Sequence, residues 1–229
     1  MIYSSVRNAI FLKRPNRFIA HVLVDGREEV VHVKNTGRCK EILKEGSTVI
    51  LEPSSNPQRK TRYSLISCYK GNTLINIDSQ VPNAVVHESI LNGKLPEFRN
   101  ILELKREVTF GNSRFDLAFS SETTKGFIEV KGVTLEENGI AMFPDAPTQR
   151  GTKHIYEMIN AVKQGFEGYI FFLIQLKGVK YFTPNSLTDL KFSEAISMAY
   201  KNGVNVVAYD SIVTQDEIII SDRVEVRLD

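Results

Sequence analysis

Three side chains stand at a spacing that suits phosphodiester chemistry. They are Asp116 in Ser113-Arg114-Phe115-Asp116, and Glu129 with Lys131 in Ile128-Glu129-Val130-Lys131. Two carboxylates on neighbouring strands suit a hard divalent cation, which prefers oxygen ligands. Mg2+, or Mn2+ in its place, would polarise a phosphoryl oxygen and lower the pKa of a bound water. A lysine two residues beyond the second carboxylate points to the same side of its strand. It would orient the attacking water or neutralise the charge growing on the phosphate. The same Glu-x-Lys spacing also makes an ordinary solvated ion pair on a sheet, so the pattern needs support from the rest of the chain.

The elements that must position the trio are two strands of a hairpin. Phe115, Leu117 and Phe119 alternate with Arg114, Asp116 and Ala118, and Ile128 and Val130 alternate with Glu129 and Lys131. Each strand then has one apolar and one polar face, and the trio converges on one side. The polar link 120–126 ends in glycine, as a hairpin loop should. Asp followed by Glu-x-Lys resembles the core of the restriction-endonuclease-like nuclease superfamily. Upstream, residues 84–95 predict a helix with Val86 and Ile90 inward, and residues 102–110 a strand. Glu88 in that helix is either a further approach to the metal or a solvated residue. Downstream, the prolines of Phe143-Pro144-Asp145-Ala146-Pro147 exclude helix. Thr148 can cap the helix after them, in which Ile155, Met158, Ile159 and Val162 form a buried stripe. Gln149, Arg150, Lys153 and His154 fall in its first turns, where a helix attracts phosphate. The alternative is a solvated first turn and a histidine bonded to backbone. Strands at 168–175, 180–183 and 204–209, a helix at 190–201 and an edge strand at 218–226 complete a mixed sheet with the trio at its centre.

The front of the chain reads differently. Residues 1–82 carry thirteen Lys and Arg against seven Asp and Glu, and the remainder sixteen against twenty. A basic front half is what a phosphate-binding module shows, and also lies within the range of ordinary surface charge. A strand–turn–strand spans 17–34 around Asp25-Gly26. A helical turn follows at 39–44, then strands at 47–52, 63–69 and 73–77. Five short strands with one small helix predict a Greek-key barrel of the oligonucleotide-binding (OB) type. Arg14, Arg17, Arg38, Arg59, Lys60 and Arg62, with Tyr63, would grip nucleic acid by charge and stacking. A barrel used only for packing has the same pattern. Pro82 marks the expected boundary between a nucleic-acid-binding domain, 1–82, and a restriction-endonuclease-like domain, 83–229.

No apolar run is long enough to span a bilayer, and the start at Met1 shows no secretory pattern. Cys39 and Cys68 lack metal-ligand spacing and read as free thiols. The expectation is a cytoplasmic protein that does not engage membrane.

Four motifs in order give the chain a family resemblance. Asn35-Thr36-Gly37-Arg38, Ser113-Arg114-Phe115-Asp116, Ile128-Glu129-Val130-Lys131 and Phe143-Pro144-Asp145-Ala146-Pro147-Thr148-Gln149-Arg150-Gly151 with His154 resemble the sugar fermentation stimulation protein A family over nearly the whole chain. The resemblance implies an α+β protein: an OB barrel followed by a restriction-endonuclease-like domain. It also implies DNA binding and a link to regulation of sugar (maltose) metabolism. By motif, Asp116, Glu129 and Lys131 would be the nuclease-like site, ringed by Arg114, Gln149, Arg150 and His154. Phe115 stands where the superfamily pattern has proline. Two functions follow ahead of a third class, an RNA or protein interaction module. One is a DNA-binding, Mg2+-dependent phosphodiesterase; the other is a transcriptional regulator that clamps DNA with a silent nuclease fold and little sequence preference. Oligomeric state is left open.

Overall fold

The computed structural model describes residues 1–35 and 37–228, so Thr36 of the first motif lies outside the described residues. The front of the chain forms β1 (Arg7–Asn16), β2 (Ile19–Val24), β3 (Arg27–Val33), β4 (Thr48–Pro53), β5 (Tyr63–Lys70) and β6 (Thr73–Asn76). They hydrogen-bond in the order β3-β2-β1-β4-β5-β6, and a parallel pairing of β3 with β5 closes the first five into a barrel. Asp25 (φ 50°) and Gly26 (φ 78°) make the tight turn between β2 and β3, where both central residues need positive φ. The barrel has the five strands that the sequence predicts, but one of them is β1, which the sequence does not show, while β6 only extends the sheet beyond β5. β1 pairs with both β2 and β4, yet only Ala9 and Phe11 of its ten residues are buried. The helical turn expected at 39–44 is a single turn, closed by the Leu43 N–H on the Cys39 carbonyl at 2.9 Å.

The rest of the chain runs α1 (Val81–Leu91), β7 (Glu103–Phe110), β8 (Ser113–Ser120), β9 (Lys125–Val133), β10 (Leu135–Glu137), β11 (Ile140–Phe143), α2 (Gln149–Lys163), β12 (Glu167–Ile174), β13 (Tyr181–Pro184), α3 (Leu190–Lys201), β14 (Asn205–Val213) and β15 (Ile218–Val224). The main sheet has the order β15-β14-β12-β9-β8-β7, with β9, β12 and β14 parallel and the others antiparallel to their neighbours. β10, β11 and β13 form a small second sheet. α1 begins three residues before the predicted start, because Pro82 sits in its first turn, where a missing N–H costs nothing. It ends at Leu91, ahead of Gly93 at φ 64°. α2 starts where predicted: the Thr148 hydroxyl accepts from the Gly151 N–H at 3.1 Å. Asp189 caps α3 in the same way through the Phe192 N–H.

The main sheet separates two cores. On one face Leu117, Ile128, Val130 and Phe171 pack with Val81, Val85, Val86 and Ile90 of α1. On the other, Phe115, Phe127 and Phe172 pack with α2 and α3, and this core continues into the barrel interior. Polar contacts tie the two sheets together. Gln175, after β12, accepts from the Asn76 N–H through its carbonyl at 2.9 Å, and its amide donates to Asn76 Oδ1 at 2.8 Å. Within the front of the chain, Lys34 bridges Glu52 and the buried Asp78 at 2.8 and 3.0 Å. These groups find partners, as most buried polar atoms do. Among the described residues, no helix is long and apolar enough to cross a membrane.

Candidate functional site

β8 and β9 pair from Ser120↔Lys125 to Leu117↔Ile128. The next residue of β8 is Asp116, and there the ladder stops. Asp116 Oδ2 instead accepts from the Val130 N–H at 2.8 Å, so a side chain caps the donor where backbone pairing ends. Its Oδ1 accepts from Asn83 Nδ2 of α1 at 2.7 Å. On the other side, β7 is irregular at Glu107, which takes a positive φ of 56°. The result corrects the single apolar face predicted for β8. Phe115 packs against Phe127, ring centroids 5.1 Å apart, in the core beneath α2, whereas Leu117 and Phe119 join the core beneath α1. Asp116 sits at this reversal.

Glu129 is 2% exposed. Its Oε1 takes a hydrogen bond from Lys131 Nζ and lies 2.5 Å from Nδ1 of the buried His154 on α2. Its Oε2 is buried with no hydrogen-bond partner among the described residues. Burial works to raise the Glu129 carboxyl, but the Lys131 ammonium and the bonds from His154 and Lys131 outweigh it and hold the group below the ordinary carboxylate range. Asp116 moves the other way: burial and then the Glu129 charge push it up, against the pull of Lys131, the Val130 N–H and Asn83. The two carboxyls therefore sense one another and differ in affinity for a proton, a separation typical of sites with divided roles.

Lys131 opens onto a cleft of about 460 Å³ between the barrel and the main sheet. Among the described residues, no group of three or more His, Cys, Asp or Glu side chains is arranged to hold a metal ion. The donors that suit one are the unpartnered Glu129 Oε2 and the Asp116 carboxylate, each of whose oxygens keeps a lone pair beyond its one hydrogen bond. Hard oxygen donors fit Mg2+, Mn2+ or Ca2+.

The basic residues fall into distinct settings. Arg14 does not stand free: its terminal nitrogens donate to the carbonyls of Arg17, Asn35, Gly37 and Arg38 at 2.5–2.8 Å. It braces the backbone at Asn35, Gly37 and Arg38. Arg17 stacks over Phe18 at 4.8 Å and lines the cleft. Arg38 is exposed, and its backbone N–H donates to Asp145 at 2.9 Å. Arg59 and Lys60 lie on the loop between β4 and β5, and Arg62 at its end stacks over Tyr63 at 5.5 Å. Arg114 is exposed and pairs with Glu107 at 3.4 Å. Gln149 and Arg150 are exposed in the first turn of α2. His154 is thus brought onto Glu129 directly, rather than left beside the site. Glu88 pairs with the N-terminal ammonium at 2.9 Å. Asn83, which holds Asp116, has no signal in the sequence beyond its place in the first turn of α1.

Comparison with known proteins agrees over the full length. The family model described as the SfsA N-terminal OB domain matches residues 12–77, and that described as the sugar fermentation stimulation protein RE domain matches residues 80–217. A sugar fermentation stimulation protein homolog of Alkaliphilus oremlandii is 57% identical over 231 residues, covering 99% of this chain and 98% of its own. A homolog from Clostridium perfringens is 54% identical over 230 residues, with complete coverage of both chains. The solved structure of Pyrococcus furiosus SfsA in complex with Ca2+ superposes with a TM-score of 0.91 at 31% identity, covering 99% of this chain and 98% of that one.

Proposed function

The chain belongs to the sugar fermentation stimulation protein family, and from that premise we propose that it binds DNA and hydrolyses a DNA phosphodiester with Mg2+ or Mn2+. Residues 1–82 are the nucleic-acid-binding unit and residues 83–229 the nuclease-like unit. The observation that carries the reading is the Glu129 carboxylate: one oxygen is shared by Lys131 and His154, the other is buried and unpartnered among the described residues, and the Glu129 charge is felt at Asp116. An atom so placed costs roughly 1–3 kcal/mol unless something binds it. Glu129 and Asp116 would hold the cation, and the complex of Pyrococcus furiosus SfsA with Ca2+ supports a divalent site. When bound, the cation supplies positive charge that polarises a phosphoryl oxygen and lowers the pKa of a bound water.

The chain's own residues do the rest. His154 and Lys131 fix Glu129 Oε1, which leaves Oε2 as the free donor. Asn83 and the Val130 N–H fix Asp116. Lys131 neutralises charge on the scissile phosphate from the cleft side. Arg114, Gln149 and Arg150 steady flanking phosphates, and Arg17, Arg38, Arg59, Lys60 and Arg62 hold the strand along the barrel with little sequence preference. A second reading, a DNA-binding regulator of sugar metabolism with a silent site, is favoured by the absence of a three-ligand cluster among the described residues. Incubating DNA with Mg2+ or Mn2+ separates the two. Cleavage by the wild type that Asp116→Ala and Lys131→Ala abolish supports the nuclease. Binding without cleavage supports the regulator, and equal cleavage by all three proteins means a contaminant.

A further inference from the structure

We infer that the cleft between the barrel and the main sheet receives one nucleotide of a single strand, its phosphate at Lys131, so that barrel and site act on the same unpaired strand. This inference rests on the reading of the site given above. The cleft holds about 460 Å³, the size of a small-ligand pocket rather than a groove for a duplex. Arg17, Asn35 and Gly37 wall it on the barrel side, residues 144–148 on the other, and Lys131 lies between them.

The cleft is preformed. Arg14 braces Asn35, Gly37 and Arg38, and the Arg38 N–H bonds to Asp145 across the cleft wall at 2.9 Å. There is no slack where the walls meet: a Cβ on Gly37 would lie 2.4 Å from Asp145 Oδ2, and one on Gly132 would lie 2.4 Å from Gln175 Oε1.

Its charge suits a phosphate. Among the described residues lining it, Lys131 and Arg17 contribute two cations against the single carboxylate of Asp145, whose Oδ2 accepts the Arg38 N–H. Arg17 lies over the Phe18 ring, which is 45% exposed, and such a pair offers a stacking surface for a base. A duplex keeps its bases stacked inside and reaches a pocket of this size only by turning a nucleotide out, at a cost of a few kcal/mol. A single strand enters at no such cost.

The experiment is fluorescence anisotropy in EDTA, so that cleavage plays no part. It uses a labelled single strand of about 12 nucleotides, the length an OB fold covers, a blunt duplex of the same sequence, and an RNA strand of the same sequence. The wild type should bind a single strand at least about tenfold more tightly than the duplex, the equivalent of one stacked base. Ala146→Trp, which fills the cleft, and Arg17→Ala, which changes only an exposed side chain, should each lose several-fold to about tenfold. Lys201→Ala, at the end of α3, should bind as the wild type. Tight binding of either the DNA or the RNA strand, lost in both variants, supports the inference and names the sugar. A duplex bound as tightly as a single strand, or wild-type binding by both cleft variants, overturns it. If Ala146→Trp cleaves DNA normally, the cleft inference fails and the site reading stands. If the strand binds in the cleft but no metal yields cleavage, the reverse holds.

Discussion

In the barrel, the cations placed to meet a phosphate stand at the surface. Arg17, Lys60 and Arg62 are exposed; Arg17 stacks over Phe18, and Arg62 stacks over Tyr63 with the Glu29 carboxylate 3.8 Å away. At the main sheet, Glu129 and Lys131 of β9 and His154 of α2 have side chains 2%, 14% and 10% exposed, and Lys131 and His154 both bond to Glu129 Oε1. Exposed pairs contribute about 0–1 kcal/mol and are screened by salt. Breaking a buried pair costs about 3–5 kcal/mol, because the remaining charge is stranded. The barrel's charges therefore act additively and at a distance, whereas the sheet's charges act as one unit that fails together.

That contrast can be broken or sharpened at several points. The largest effect is expected for Glu129→Ala, which strands Lys131 and His154 and removes the proposed metal donor. DNA cleavage should fall by about 10³-fold or more, several kcal/mol of transition-state stabilisation, and thermal denaturation should show a loss of about 3–5 kcal/mol. If only activity falls and the melting temperature holds, the three groups are not a coupled unit. Asn83→Ala should come next. It removes a support of Asp116 without touching Glu129, Lys131 or His154, and outer-shell supports of metal ligands are worth about 10–100-fold. Steady-state cleavage rates with an unchanged melting temperature check this.

Arg14→Ala tests the barrel's exception, a cation bonded to backbone rather than to solvent. Losing its bonds to four carbonyls should cost about 2–3 kcal/mol and lower the melting temperature by about 5–10 °C. Full stability with weakened DNA binding would place Arg14 among the phosphate contacts after all. The smallest effect at physiological salt is expected when Arg59, Lys60 and Arg62 are all replaced by alanine. The slope of log affinity against log salt should shrink by about 2–3, with cleavage at saturating DNA unchanged. A changed rate at saturation would mean that the barrel loop reaches the chemistry.

Much of the fold was legible because periodicity and capping agree. α3 matches its predicted span, and α2 starts at the Thr148 cap. β1 was not legible. Its interior residues are few, and Pro15 and three basic residues break the alternation, although the barrel closes only through it. The Glu-x-Lys spacing placed Glu129 and Lys131 on one face of β9, because period-two geometry is local. The reversal of β8 at Asp116 was hidden, since it depends on the Glu107 irregularity in a different strand and on Asn83 in a helix. Long-range hydrogen bonds of that kind leave no trace in residue spacing. The basic residues of the barrel showed the same limit: Arg14 reads like its neighbours in sequence and differs only in where the carbonyls of Gly37 and Arg38 lie.

The most direct measurement is an anomalous difference map from crystals grown with Mn2+. The account requires a peak in direct contact with Glu129 Oε2 and the Asp116 carboxylate, with Lys131 and His154 still on Glu129 Oε1. A map with no peak there, or with the ion held by other residues, would contradict it.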